Sequence, residues 1–221
     1  MKHTIILIIC ILATALFATG PEKHKITKVY GTGIAFNEHF LLTTGDVARH
    51  TEKLDSIVVM VNGMPMVARV EHSADTLLNK DKNEYVNLAI IQVDNSVLLN
   101  ACKIDDRLVK PGDPVTVTGI LTNNQKVQPN AFPAKVVADS TFPEYVAMAL
   151  NVRMPAGFGG AAISSHGKVI GMSFGNSTRN PDISFFYDGM LLTEYILHQN
   201  RPTTNDISKC TYQVRSYVTV Q

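Results

Sequence analysis

The chain has 221 residues, of which 45% are hydrophobic and 18% are charged, a composition typical of globular proteins. Its formal net charge is +1 and it contains no long run of basic residues, so nucleic acid is not an expected partner. The length fits one domain, or two small barrels that share a core.

The N-terminus predicts a secretory signal peptide. Lys2 and His3 precede an apolar run at residues 5–12, and small and apolar residues continue to Ala18. A membrane span needs about 20 apolar residues, and this run is shorter. We therefore expect residues 1–18 to be a signal peptide and the protein to be secreted or periplasmic. The alternative is an uncleaved N-terminal anchor; apart from this segment, no contact with a membrane is expected.

Short segments with the composition of β-strands make up most of the remaining chain. They are rich in Val, Ile and other apolar residues, and turn residues separate them. Asn62-Gly63 is the strongest hairpin signal, and Ser165-His166-Gly167 is a second predicted turn. Predicted strands cover residues 34–36, 40–42, 56–61, 64–70, 86–93, 115–120, 134–138, 146–151, 161–164 and 168–174. The pattern predicts an all-β barrel or sandwich.

One segment, residues 190–199, has helical periodicity, because Leu191, Leu192, Tyr195 and Ile196 fall on one face. Residues 200–221 are predicted to be a C-terminal tail that ends in a short strand.

Three segments carry motifs that also occur, in the same order, in a known family. They are Gly31-Thr32-Gly33 with the later Leu42-Thr43-Thr44-Gly45-Asp46-Val47, then Asn87-Leu88-Ala89, and finally Ala156-Gly157-Phe158-Gly159-Gly160 with the later Gly167-Lys168-Val169-Ile170-Gly171. The chain thereby resembles the trypsin-like serine proteases of the chymotrypsin fold, and within them the bacterial Deg-type (HtrA) protease domains.

The resemblance implies an all-β fold of two six-stranded Greek-key barrels with a short C-terminal helix. It places the peptidase domain at residues 28–199. Within it, the N-terminal barrel covers 28–105, the C-terminal barrel 112–189 and the helix 190–199. The resemblance also implies a disulfide between Cys102, in the linker between the barrels, and Cys210; from the residues alone, two free thiols remain the alternative.

All three catalytic positions implied by the resemblance are substituted. Asp46 stands where the family has the histidine base, Asn87 where it has the aspartate and Phe158 where it has the serine. The triad needs a nucleophile, a base and a group that orients the base. A phenyl ring cannot attack a carbonyl, and a carboxylate is a weaker base than an imidazole. We therefore expect no protease activity.

The oxyanion loop also departs from the family pattern. The family has glycine two residues before the nucleophile, and Ala156 stands there, with Gly157 one place later. A shift of one residue would put Gly159 at the nucleophile position. The expected loss of activity holds in both alignments, since neither Phe158 nor Gly159 carries a nucleophile.

The resemblance implies a peptide-binding surface beside this loop, because the family pairs substrate backbone with the strand that follows it. Here that strand contains Ser173, Phe174 and Gly175. Such an edge can bind an extended peptide without any chemistry. Phe158 is either an exposed anchor for a partner or, together with Phe174, a plug that fills the old cleft.

Relocated catalytic residues are the main enzymatic alternative. Candidate bases are His39, His50, His72 and His166, and candidate nucleophiles are Ser164 and Ser165. The histidines are too scattered to suggest a metal site, and no cofactor is expected. The sequence therefore predicts an exported, inactive trypsin-like homologue that binds protein or peptide. The alternatives are an active serine-type hydrolase with relocated residues, and a structural or protease-regulating partner.

Overall fold

The computed structural model describes residues 25–48, 54–74, 86–123, 126–138, 147–196 and 199–220. The predicted signal peptide and His50 lie outside these ranges. Among the described residues, no helix combines the length and apolar character that crossing a membrane requires.

Strands dominate the described chain, and two short helices and one 3-10 turn accompany them. In chain order these elements are β1 (Lys25–Ala35), β2 (Phe40–Thr43), α1 (Gly45–Ala48), β3 (Leu54–Val61), β4 (Met64–Ala74), β5 (Leu88–Val93), β6 (Pro114–Asn123), β7 (Lys126–Val137), β8 (Met148–Leu150), β9 (Ala162–Ser165), β10 (Lys168–Asn176), β11 (Ser184–Asp188), α2 (Gly189–Tyr195), the 3-10 turn (Ile207–Lys209) and β12 (Thr211–Val220).

The strands close into two antiparallel barrels of six strands each. The first barrel has the order β1-β12-β3-β4-β5-β2, and the second has the order β10-β11-β8-β7-β6-β9. This arrangement confirms the predicted fold class of two six-stranded barrels.

The C-terminal strand differs from its predicted role. Residues 200–221 were expected to be a tail outside the barrels, but β12 lies between β1 and β3 and completes the first barrel. The first barrel is therefore not confined to residues 28–105. The physical reason is that β1 and β3 are not hydrogen-bonded to each other, so the barrel closes only when a strand from the far end of the chain pairs with both.

Both predicted hairpin turns are confirmed by their backbone angles. Asn62 and Gly63 have φ of 51° and 80°, and His166 and Gly167 have φ of 51° and 72°. Two successive residues with positive φ are what a type I′ turn between antiparallel strands requires.

Helix α2 begins at the predicted place but ends earlier. The Asp188 carboxylate accepts a hydrogen bond from the Leu191 N–H (2.9 Å), which caps the N-terminus, and Tyr195 is the last helical residue. Burial raises the pKa of Asp188 above its ordinary value, and hydrogen bonds from the Leu191 and Met190 N–H groups oppose this. The helix packs against the second barrel through its buried Leu192.

A buried apolar cluster joins the two barrels and holds the candidate site in place. Leu42 and Leu88 contribute to it from the first barrel, and Met172 and Tyr187 from the second. Each barrel also has its own core. The disulfide between Cys102 and Cys210, with Cα atoms 5.6 Å apart, joins the inter-barrel linker to the chain just before β12. The implied pairing is thus confirmed.

Candidate functional site

Asp46 lies on the one-turn helix α1 at the edge of the first barrel. The neighbouring Gly45, Val47 and Ala48 are buried, whereas Asp46 is exposed. The Ser216 hydroxyl of β12 donates to the Val47 carbonyl, which fixes the helix on the barrel. The structure thus places Asp46 at the surface of the first barrel.

Asp46 and Asn87 form a reciprocal pair of hydrogen bonds. The Asn87 amide nitrogen donates to the Asp46 carboxylate (2.7 Å), and the Asp46 backbone N–H donates to the Asn87 carbonyl oxygen (2.9 Å). The two sequence-predicted positions are therefore adjacent. An amide and a carboxylate so paired satisfy each other, but they contain no imidazole to carry a proton.

Tyr187 extends this network into the second barrel. The Asn87 N–H donates to the Tyr187 hydroxyl oxygen (2.8 Å). Burial, and to a smaller extent the charge of Asp46, raises the pKa of Tyr187 to about 12, although the hydrogen bond from Asn87 lowers it. At neutral pH Tyr187 is a neutral phenol, so it supports Asn87 rather than acting as a base. No motif in the sequence indicated this contact, which joins residues far apart in the chain.

The side chain of Phe158 is buried in the second barrel. It is 0% exposed, and its ring stacks on that of Phe132 with centroids 5.6 Å apart. A Cβ atom on Gly119 would lie 2.6 Å from the Phe158 ring, so the ring occupies space left by that glycine. The interpretation of Phe158 as an exposed anchor is therefore wrong, because a fully buried ring offers a ligand no surface.

Gly159, rather than Phe158, faces the Asp46 segment. A Cβ atom on Gly159 would lie 3.4 Å from the Thr44 hydroxyl and 3.9 Å from the Val47 side chain. The geometry thus favours the alignment shifted by one residue, with Gly159 at the nucleophile position. In that alignment Gly157 lies two residues earlier, where the family has glycine, and Ala156 is no longer a departure. Phe158 is buried because its apolar ring packs in the core of the second barrel. A comparison of motifs takes no account of such packing.

Thr32 of β1 attaches this loop to the first barrel. Its N–H donates to the Gly159 carbonyl (2.8 Å), and its hydroxyl donates to the Gly157 carbonyl (3.0 Å) while accepting from the Ile120 N–H (3.0 Å). Gly160 has φ of +88°, and a Cβ there would lie 1.9 Å from the Thr32 carbonyl oxygen. The close contact explains why glycine stands at position 160.

Ser173 of β10 is committed to the same loop. It is 0% exposed, its hydroxyl donates to the Phe158 carbonyl (2.5 Å), and its backbone exchanges hydrogen bonds with Gly160 and Ala161 (2.8 and 2.9 Å). Ser173 was predicted as a peptide contact. The structure contradicts this, because the loop already occupies its backbone groups.

Phe174 and Gly175 follow Ser173 on β10, and both are partly exposed. Nothing lies within 4 Å of a Cβ placed on Gly175. The half-buried Phe174 ring stacks on Tyr187 (centroids 4.2 Å apart) and on Phe185 (6.1 Å), so these rings fill the space beneath the strand. The predicted plug therefore exists in part, with Phe185 and Tyr187 in place of Phe158.

Asn176, the last residue of β10, holds the backbone of Met154. Its side chain accepts from the Met154 N–H (2.7 Å) and donates to the Met154 carbonyl (3.0 Å), which ties β10 to the start of the loop. The open stretch around Gly175 thus lies between this clamp and the Ser173 contacts. No motif in the sequence indicated this role of Asn176.

The candidate relocated residues that the structure describes do not form one cluster; they are His39, His72, Ser164, Ser165 and His166. Ser165 Oγ lies 2.9 Å from His166 Nδ1, at an exposed turn beside a cavity of about 350 Å³ that Asp206 also lines. The Ser164 hydroxyl donates to the Thr116 carbonyl. His39 Nδ1 lies within hydrogen-bond distance of the Val97 carbonyl oxygen (3.2 Å), and the ring centroids of His72 and Tyr195 are 5.5 Å apart. Among the residues described, no group of three or more His, Cys, Asp and Glu side chains is arranged to hold a metal ion.

Comparisons with known proteins identify the fold. No protein-family model matches the sequence, and no curated protein sequence matches it significantly. Solved structures match well: a serine-to-alanine mutant of Rv3671c from M. tuberculosis H37Rv, in the inactive form, is 17% identical and has a TM-score of 0.60 over 82% of this chain and 88% of that chain.

Two further structures are similar. The active form of the Rv3671c protease is 16% identical, with a TM-score of 0.58 over 88% of each chain. The HtrA-type protease AlgW, solved with a decapeptide, is 18% identical, with a TM-score of 0.54 over 77% of this chain and 52% of that chain. At these identities the likeness concerns the fold. The chain therefore has the two-barrel fold of the trypsin-like and HtrA-type serine proteases.

Proposed function

We propose that this protein is an exported, catalytically inactive homologue of trypsin-like proteases that acts by binding a protein or peptide. The observation that carries the proposal is the state of the three catalytic positions. Asp46 and Asn87 hydrogen-bond each other, and Gly159, which has no side chain, lies beside Thr44 and Val47 of the segment that carries Asp46.

Acyl transfer on this fold needs a hydroxyl or thiol that a neighbouring base deprotonates. Gly159 has no such group, and Phe158 is buried. The loss of one triad member reduces the rate by roughly four to six orders of magnitude. Substitution at all three positions supports a role that does not include hydrolysis.

The binding surface that we propose is the Gly175 edge, which consists of Phe174, Gly175 and the nearby Asp46. Gly175 gives an approaching backbone room, and Phe174 offers the accessible part of a ring that Tyr187 and Phe185 hold in place. An extended peptide can add to such an edge by backbone hydrogen bonds, with one apolar side chain on the ring. The exposed carboxylate of Asp46 favours a basic residue beside it.

The first experiment tests inactivity. The purified protein is treated with a fluorophosphonate probe and, separately, with an unfolded protein as substrate. We expect neither labelling nor cleavage. Cleavage that survives Ser165→Ala and His166→Ala would overturn the proposal.

The second experiment tests binding through cross-linking of the protein in its native compartment. Gly175→Val adds a side chain where there is open space, so it covers the edge without a clash in the fold. The matched control is Thr116→Val, at an exposed position on β6, a strand that does not pair with β10. Partners that Gly175→Val loses and Thr116→Val keeps would support the proposed surface. Recovery of no partner by the wild-type protein would contradict it.

One observation favours a second candidate function, a hydrolase with relocated residues. The Ser165 hydroxyl and His166 ring are 2.9 Å apart beside a cavity. This candidate predicts probe labelling at Ser165 that His166→Ala abolishes, and it fails if the probe does not react there.

A further inference from the structure

An apolar row crosses the outer face of the first barrel. In the strand register Tyr30 pairs with Arg215, Arg215 with Val58, and Val58 with Val67. Val67 is 72% exposed and Tyr30 is 40% exposed, and Val58 is partly exposed. The row therefore presents the apolar side chains of Tyr30, Val58 and Val67 on β1, β3 and β4 to solvent, with Arg215 of β12 between Tyr30 and Val58.

A second set of apolar side chains widens this surface by two residues along the strands. Met60, which is partly exposed, pairs with the exposed Pro65, two residues along β3 and β4 from Val58 and Val67. A monomer rarely exposes neighbouring apolar side chains of this kind, and such patches mark interaction sites.

Charges of opposite sign, Arg215 and Asp94, flank the central pair Val58 and Val67. On one side the Arg215 guanidinium lies 5.7 Å from the centroid of the Tyr30 ring. On the other side Ala68 pairs with Val93, so Val67 lies opposite Asp94, and both residues line one groove of about 260 Å³. Hydrogen bonds from the Ser96 side chain and N–H lower the pKa of Asp94, so its carboxylate is charged at neutral pH.

This order of groups is self-complementary under two-fold rotation. A two-fold axis that passes between Val58 and Val67 exchanges β3 with β4 and β12 with β5. Val58 of each copy then meets Val67 of the other, and Arg215 meets Asp94. Two-fold interfaces repeat each contact in this way, and this row supplies both an apolar centre and matched charges that flank it.

We propose that this row is the interface through which two copies of the chain form a homodimer. The proposal does not depend on peptide binding, since the row and the Gly175 edge consist of different residues. It leaves the edge of each copy accessible to a partner.

Sedimentation velocity of the purified protein over a concentration series tests the dimer. We expect a concentration-dependent shift from monomer to dimer for the wild type and a monomer for Val67→Asp. A side chain that is 72% exposed can change without loss of the fold, which unchanged circular dichroism would verify. A wild-type protein that remains monomeric at about 1 mM, the Kd that corresponds to about −4 kcal/mol, would overturn the proposal.

Charge reversal tests the register of the two copies. Arg215→Glu and Asp94→Lys alone each place like charges together, and we expect each to weaken the dimer about tenfold or more. The combined variant restores opposite charges, and we expect it to regain dimerisation. Failure of the combined variant to exceed both single variants would contradict this register. A monomer that instead binds vesicles or another protein through Val67 would contradict the homodimer.

Discussion

A Cβ atom on Gly159 would lie 3.4 Å from the Thr44 hydroxyl, while the adjacent Phe158 ring points away into the second barrel. Position 159 therefore faces the segment that carries Asp46. Its φ lies outside the left-handed region, and no atom lies closer than 3.4 Å to the added Cβ. A serine side chain thus fits there without backbone strain.

This relationship predicts that a triad can be rebuilt at position 159. We expect the triple variant Asp46→His/Asn87→Asp/Gly159→Ser to react with a fluorophosphonate probe about 10²-fold faster than Gly159→Ser alone, since a positioned base contributes about that factor. Mass spectrometry of the labelled peptide locates the modified residue. The control is the triple variant with Phe158→Ser in place of Gly159→Ser, which we expect to remain unlabelled. Labelling of the control would show that position 158 is the nucleophile position.

Phe158 is expected to act in stability rather than in binding. Phe158→Ala removes a fully buried ring that packs on Phe132 and Gly119. Its loss should lower the free energy of unfolding by about 3–5 kcal/mol. Urea denaturation measures this change. A loss below about 1 kcal/mol, typical of a surface substitution, would contradict the buried position.

Thr32 should keep the loop ordered. Thr32→Val retains the shape of the side chain but leaves the Gly157 carbonyl and the Ile120 N–H without their partner, at a cost of about 1–3 kcal/mol. Hydrogen exchange should rise at residues 157–161. Thr43→Val is the matched control, because it removes one hydroxyl bond to the Thr32 carbonyl. Equal exchange in both variants would argue against a specific role of Thr32.

The disulfide should contribute strongly to stability. Cys102 and Cys210 are 108 residues apart, and a loop of that size is worth about 4–5 kcal/mol in the chain-entropy model. We expect Cys102→Ala/Cys210→Ala to lower the free energy of unfolding by about 4–5 kcal/mol. Addition of a reductant should destabilise the wild-type protein and leave the double variant unchanged; an equal effect on both would contradict this account.

Asp188 should give stability a pH dependence. Burial raises the pKa of its carboxyl in the folded state, so its contribution to stability is present below the ordinary carboxyl pKa and is lost as pH rises through the folded value. Asp188→Asn keeps an acceptor for the Leu191 N–H and removes the charge. We expect it to gain stability relative to the wild type as pH rises, by about 1.4 kcal/mol for each unit of raised pKa.

Measurements of the free energy of unfolding from pH 3 to 7 test this prediction. The ordinary pKa of an aspartate carboxyl is about 4, so the difference in this free energy between the wild type and Asp188→Asn should change within that pH range. Asp188→Ala also removes the helix cap, and its additional loss of about 1 kcal/mol should be independent of pH. A constant difference between the wild type and Asp188→Asn would contradict the raised pKa.

The sequence predicted local features well and tertiary relationships less well. The two type I′ turns followed from Asn62-Gly63 and His166-Gly167, because positive φ is a local requirement. The positions of Asp46 and Asn87 followed from motifs directly next to the regular strands β2 and β5. The motifs left the nucleophile position open between Phe158 and Gly159, since that choice depends on which side chain the barrel core accepts. The clamp between Asn176 and Met154 depends on contacts between separate segments, which a single sequence does not reveal.

The pairing of β12 with β1 and β3 has a consequence for the order in which the protein folds. Lys25 pairs with Val220, so the first barrel closes only after β12, the last of the described strands, has emerged from the ribosome. The second barrel consists of strands that are continuous in the chain from β6 to β11 and can form earlier. Because contacts between distant segments form slowly, we expect the barrel encoded first to be the one completed last.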